Sequence, residues 1–314
     1  MTGWSSALVA ALLAGTVTGA PLFAFQDPAI TESSGLVDGG EVVYTVNDSG
    51  SSAVLYAVEA GSGETTGTTT YARDEVTDVE ALAPAPDGDV WVADIGDNLR
   101  QRDDIEVFRV APRGSGSTRF ELRYPDGPRD AETLLAHPRT GQLFVVSKTV
   151  FGGTVYAAPR RLVPDRTNRL RRVAEVPGFL TDGSFLPDGR HLLLRGYGNA
   201  WLLTYPDFGV LGMFDLPEQE QGEGLSVGAD GRILLSSEGQ RSQVLLVELP
   251  TELRTALAPS PAPSSPAASP SEPSRSTKAS GEPDSGGAGR WVLLGVIGAL
   301  AVAGVVSGVR SRRR

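Results

Sequence analysis

Five stretches of this chain repeat one plan: a short motif that usually carries an acid, an apolar run, and a glycine-containing turn into a second apolar run. Four motifs read Thr31-Glu32-Ser33-Ser34-Gly35-Leu36, Asp78-Val79-Glu80-Ala81-Leu82-Ala83, Asp130-Ala131-Glu132-Thr133-Leu134-Leu135 and Gly222-Glu223-Gly224-Leu225-Ser226. The fifth, Asp182-Gly183-Ser184-Phe185-Leu186, keeps the frame without the glutamate. Aligned as Glu32, Glu80, Glu132, Gly183 and Glu223, the motifs recur at intervals of 48, 52, 51 and 40 residues. Repeats of that length, with no long 3.6-residue periodicity between them, predict stacked β-units rather than a helical array.

After each motif a Gly-containing turn enters β-branched and aromatic residues, at 38–48, 87–94, 139–148, 187–196 and 229–238, which is a strong short-range hairpin signal. Third strands follow at 54–60, 105–111, 153–159, 200–206 and 243–249, and fourth strands in the first four units at 67–72, 118–125, 170–177 and 211–217. The last unit lacks a fourth strand. Residues 21–31 stand before Glu32 where a fourth strand stands before every other motif, so the N-terminal segment is expected to complete the last unit and close a ring. The predicted fold is all-β, a five-bladed β-propeller. Six blades is the alternative, if a degenerate blade lies within 148–180.

The start of strand one and the end of strand two share one face of such a disc, because the two strands run antiparallel. That face collects Glu32, Asp78, Glu80, Asp130, Glu132, Asp182 and Glu223 from the motifs, and Asn47, Asp48, Asp94, Asp97, Asn98, Lys148, Arg195 and Glu238 from the second strands. The glutamates, on the innermost strands, are expected nearest the axis. Carboxylates crowded within about 4–6 Å raise one another's pKa or require a counter-ion. Glu32, Glu80, Glu132 and Glu223 are therefore candidate ligands for a hard cation such as Ca²⁺, which takes oxygen donors. The competing reading is structural, with each acid accepting backbone amides of the next blade.

The loop Ala93-Asp94-Ile95-Gly96-Asp97-Asn98 packs two carboxylates, an amide and a glycine together, which suits either ligand binding or an Asx-rich turn. Lys148 and Arg195, at the corresponding place in later units, would set positive charge against the acids. Asp94, Asp97, Asn98, Lys148 and Arg195 are the candidate ligand-binding residues. Gly224-Leu225-Ser226-Val227-Gly228 spells the pattern of a hydrolase nucleophile elbow but sits in a strand, without the strand-to-helix turn that elbow needs. His137 and His191 belong to the opposite face.

Composition narrows the chemistry further. There is no cysteine, which excludes disulfides, thiolate catalysis and zinc–thiolate sites. A formal charge of -10 argues against nucleic-acid binding and for cationic partners. Residues 1–24 resemble a secretory signal peptide lacking its basic start. Residues 258–289 hold seven prolines and nine serines and read as an extended stalk. The uncharged run within 290–309 is long enough to span a membrane, and the arginines of 310–314 would stay cytoplasmic. The expected arrangement is a monomeric propeller of residues 25–257 outside the cell, held to the cell membrane by a single C-terminal helix.

The motifs at 78–88 (DVEALAPAPDG) and 222–231 (GEGLSVGADG) resemble those of extracellular β-propellers grouped around esterase-like phytases and SdiA-regulated proteins, over roughly residues 25–250. The Asn47-Asp48-Ser49-Gly50 and Ala93–Asn98 loops look like those of secreted actinobacterial propellers. The resemblance implies a propeller with a calcium site and, in the phytase branch, phosphomonoester hydrolysis by a cation-activated water. Two departures stand against catalysis: no dense Lys/Arg cluster on the acidic face, and Gly183 in place of a glutamate. The expected function is thus binding of a ligand or protein partner at an acidic face holding Ca²⁺, with a calcium-dependent phosphoesterase or esterase as the alternative.

Overall fold

The structure is a computed structural model that describes residues 12–13 (backbone only), 15–48, 52–73, 76–114 and 116–257. The stalk, the 290–309 span and the basic tail lie outside the described residues, as does most of the proposed leader. Among the described residues no helix is long and apolar enough to cross a membrane.

Five antiparallel sheets form the five blades of a propeller. Their inner strands are Ser33–Asp38, Val79–Pro84, Ala131–Ala136, Leu180–Phe185 and Gly222–Val227. Each packs against the inner strands on both sides, and the last meets the first, so the ring is closed. The hairpin turns fall where the glycines predict, because Gly40, Gly88, Gly141, Gly189 and Gly231 all take positive φ, a region that costs other residues strain. The space between each pair of blades is filled by its own cluster of buried side chains, for example Leu135, Phe144, Leu194 and Trp201 between the third and fourth. Burial of one such side chain stabilises by roughly 1.5–3 kcal/mol.

Residues 148–180 hide no sixth blade. Gly153–Ala157 and Arg171–Val176 are the outer strands of blade three, and Asn168–Arg169 adds a short parallel strand to the edge of blade two. Ring closure follows the expected route. Gly19–Ala24 pairs antiparallel with the last strand, Gln243–Val247, with Gly19 opposite Val247 and Ala24 opposite Gln243. The sheet therefore begins inside the 1–24 segment, and Phe23 and Phe25 are buried where blade five meets blade one. Leu12–Leu13 runs parallel to the outer strand of blade four, Val210–Asp215.

All five inner strands carry a bulge near their start, between Ser33 and Gly35, Val79 and Ala81, Ala131 and Thr133, Leu180 and Asp182, and Gly222 and Leu225. A bulge inserts an unpaired residue and re-aims its side chain. The bulged residues are Ser34, Glu80, Glu132 and Thr181, with Glu223 and Gly224 together in blade five. This corrects the register read from the sequence. Ser34 takes the place assigned to Glu32, and Thr181 the place assigned to Gly183. Both hydroxyls reach the next blade: Ser34 Oγ donates to the Val79 carbonyl at 3.0 Å, and Thr181 Oγ1 to the Glu223 carbonyl at 3.1 Å.

Candidate functional site

Three glutamates of the bulge register, Glu80, Glu132 and Glu223, converge on the face where the inner strands start, and all three are buried. Glu32 does not join them. It is exposed, and its backbone bridges to Glu238. The aspartates of the motifs divide by role. Asp182 is fully buried and accepts the amides of Gly183 at 2.8 Å and of Leu225, on the next blade, at 2.7 Å. Asp130 accepts the amide of Asp97 at 3.0 Å. These two pin neighbouring blades together, as the structural reading of the acids expects.

Glu80 has other company. Carboxylate oxygens of Asp48, Asp78 and Glu80 lie within 4.8 Å of one another. The loop of Ala93–Asn98 creates this approach. The amides of Ile95 and Gly96 both donate to the Asp78 carbonyl at 3.0 Å, laying the Gly96 backbone over the carboxylates. A β-carbon at Gly96 would stand 2.3 Å from Asp78 Oδ2 and 2.7 Å from Glu80 Oε1, so any side chain there would push these carboxylates aside. Burial, followed by the charges of Glu132, Asp48, Asp78 and Glu223, pushes the Glu80 carboxyl up to about 11.

The loop's own acids are occupied. Asp94 accepts the amides of Thr77 and Asp78 at 2.8 and 3.0 Å and pairs with Arg102 Nη1 at 2.6 Å. Asp97 accepts the amides of Gln101 and Arg102. Both therefore shape the loop, while Asn98 is exposed at its tip. Arg102, which the sequence reading passed over, also donates to the Gly96 carbonyl at 2.8 Å and so holds the loop shut.

Lys148 sits opposite. Its ammonium forms an ion pair with Glu132 Oε1 and lies 4.7 Å from the Phe179 ring centroid and 5.4 Å from that of Tyr197. Burial works against the Lys148 charge, but Glu132 outweighs it and the pKa is raised. Burial pushes Glu132 up to about 8 against the opposing pull of Lys148, and its Oε2 is buried with no hydrogen-bond partner among the described residues. Glu223 is pushed up to about 7, chiefly by burial, with Lys148 opposing. Phe179 and Tyr197 were also missed in the sequence. They come from loops flanking blade four, where the strand pattern says nothing.

Arg195 stands opposite Asp182 near the start of the inner strand of blade four, beneath this face. It is fully buried inside the ring, where its Nη1 donates to the carbonyls of Gly224 at 2.9 Å and Ser236 at 3.2 Å. Burial brings its pKa down to about 10, with Glu223 and Asp182 opposing. Ser226, the serine of the elbow-like pattern, lies in the inner strand and accepts the Asp38 amide at 2.8 Å.

The assembled mouth offers oxygen donors in quantity, one satisfied ammonium, and two aromatic faces. Such a donor set suits a hard divalent cation. Among solved structures the chain is similar to a gluconolactonase from Xanthomonas campestris, at 17% identity over 68% of this chain and 70% of that one, with a TM-score of 0.45. It is similar to a glucose dehydrogenase at 11% identity, over 74% and 99% of the two chains, with a TM-score of 0.45. A structural-genomics target assigned as a gluconolactonase shares 18% identity over 68% and 72%, with a TM-score of 0.43. Identities and scores of this size say nothing about substrate or chemistry. No family model matches the chain and no curated protein does, so the esterase-like phytase and SdiA-regulated grouping rests on motifs alone.

Proposed function

We propose that this chain is a cell-surface propeller that binds a ligand or protein partner at its acidic mouth around a Ca²⁺ ion, with the membrane anchor and outward orientation read from its C-terminal sequence. The observation that carries the cation is the approach of Asp48, Asp78 and Glu80 beneath Gly96. Glu80 is buried beside the carboxylates of Asp48, Asp78 and Glu132, and crowding of that kind favours either a proton or an added cation. Asp48, Asp78 and Glu80 would hold the ion, and the ion would offer its remaining positions to oxygens of the ligand.

Titration of the purified chain with CaCl₂ tests this, read by calorimetry and by thermal unfolding. Saturable binding with a raised Tm is expected, and both should disappear in Glu80→Gln and Asp78→Asn. A calcium response that survives both substitutions rules the site out.

The hydrolytic alternative has one observation in its favour. Glu223, with its pKa near 7, has the proton affinity of a general acid or base at neutral pH. Against it, Lys148 is spent on Glu132 and Arg195 lies inside the ring, leaving little positive charge for a phosphorylated substrate. Turnover across a panel of phosphate and carboxylate esters, lost in Glu223→Gln, would establish it.

A further inference from the structure

The opposite end of the propeller axis carries a second mouth of different chemistry. A cavity of about 610 Å³ opens among the hairpin turns, and every blade contributes to its wall, from Asp38 in the first to Val227 in the fifth. That volume lies within the range of roughly 300–1,000 Å³ usual for small-molecule sites. Its walls are mainly apolar, built by Ala83, Leu134, Phe185 and Val227.

The polar groups that line it are few and lean toward an anion. Asp38, the one carboxylate in the wall, is neutralised by a two-pronged contact from Arg232 Nε and Nη2. Arg139 is exposed at the rim and forms no ion pair among the described residues. His137 is only 6% exposed, and its Nδ1 accepts the amides of Arg139 at 3.1 Å and Thr140 at 3.3 Å. Those two bonds fix the tautomer, so the ring proton sits on Nε2 as a donor. That Nε2 has no acceptor among the described residues, while its ring packs at a tilt against Phe185 and Tyr205, with centroids 5.1 and 4.9 Å away. A donor with no protein partner at the wall of an apolar cavity is answered by a ligand or by water.

We infer that this turn-face mouth is a binding site for a small, largely apolar carboxylate, with Arg139 and His137 Nε2 taking the carboxylate and the walls taking the hydrocarbon part. The charge of a carboxylate answers the guanidinium, and its two oxygens allow the imidazole to be answered at the same time. The site is separate from the acidic mouth, and its ligand would repel rather than bind there.

The test titrates the full chain with hexanoate, using acetate and 1-hexanol as controls that each keep one half of the ligand. Saturable one-to-one binding of hexanoate is expected, weakened about tenfold or more in Arg139→Gln, a loss of one charge-assisted contact. Ala229→Trp, at an exposed position on the rim, should block the mouth, and Glu80→Gln should leave hexanoate binding unchanged. The site is overturned by absence of saturable binding, by binding that survives both rim variants, by acetate or 1-hexanol binding as tightly as hexanoate, or by an equal loss in Glu80→Gln.

Discussion

Lys148 pairs with one oxygen of Glu132 and leaves the other buried without a partner among the described residues. The pair is therefore half satisfied, held in a ring of acids by a single ammonium. Lys148→Met would take away the partner of Glu132, and above about pH 8, where Glu132 is ionised, breaking a buried pair from one side costs about 3–5 kcal/mol. Urea unfolding should show that loss for the single variant and a partial recovery when Glu132→Gln is added.

The same acids set a pH dependence. Glu132 and Glu223 are raised above the ordinary 4.5 to about 8 and about 7, so the folded state holds protons that the unfolded chain releases. Their contribution to stability is complete below pH 4.5 and is lost as pH rises through those values. With a chelator present, Tm should fall between pH 5 and about 8, each group contributing at most about 1.4 kcal/mol per pH unit. In Glu223→Gln the lower part of that fall should flatten. A Tm that rises over this range would contradict the assignment.

Gly96→Ala should be more damaging than an ordinary loop substitution. Its methyl group would enter the space of the Asp78 and Glu80 carboxylates, at 2.3 and 2.7 Å, and displace them from the arrangement that would hold the ion. Loss of the calcium response together with a modest fall in Tm is expected, measured by thermal unfolding with and without CaCl₂.

Deleting residues 1–24 removes the strand that completes blade five and uncovers the edge of Gln243–Val247. Such a variant should aggregate or unfold without a sharp transition, because an open, apolar edge recruits other strands. A deletion ending at residue 11 keeps every described strand and should melt like the parent chain.

The strands were legible because each blade repeats its turn glycine and its apolar alternation, and even the closing strand could be found by asking which unit lacked a partner. The register was not. Thr31-Glu32-Ser33-Ser34 offers an acid two residues before the bulge, and an inserted residue leaves no mark in an apolar pattern, so Glu32 was aligned where Ser34 stands. Arg195 misled for a related reason. A charged residue late in a strand reads as surface, yet here it replaces missing backbone partners inside the ring. Glu80, Glu132 and Glu223 were found because a shared place in the repeat demanded a shared purpose. Phe179, Tyr197 and Arg102 lie in loops of unequal length, where no period points to them.

The pairing of Gly19–Ala24 with Gln243–Val247 also has a temporal meaning. Gly19–Ala24 has no partner until more than two hundred further residues exist, and closing a loop of that span is entropically slow. Blades one to four can form as their hairpins emerge, while the circle waits on its two ends. The seam is therefore expected to become native after the blades, an order that pulse-labelled hydrogen exchange would reveal.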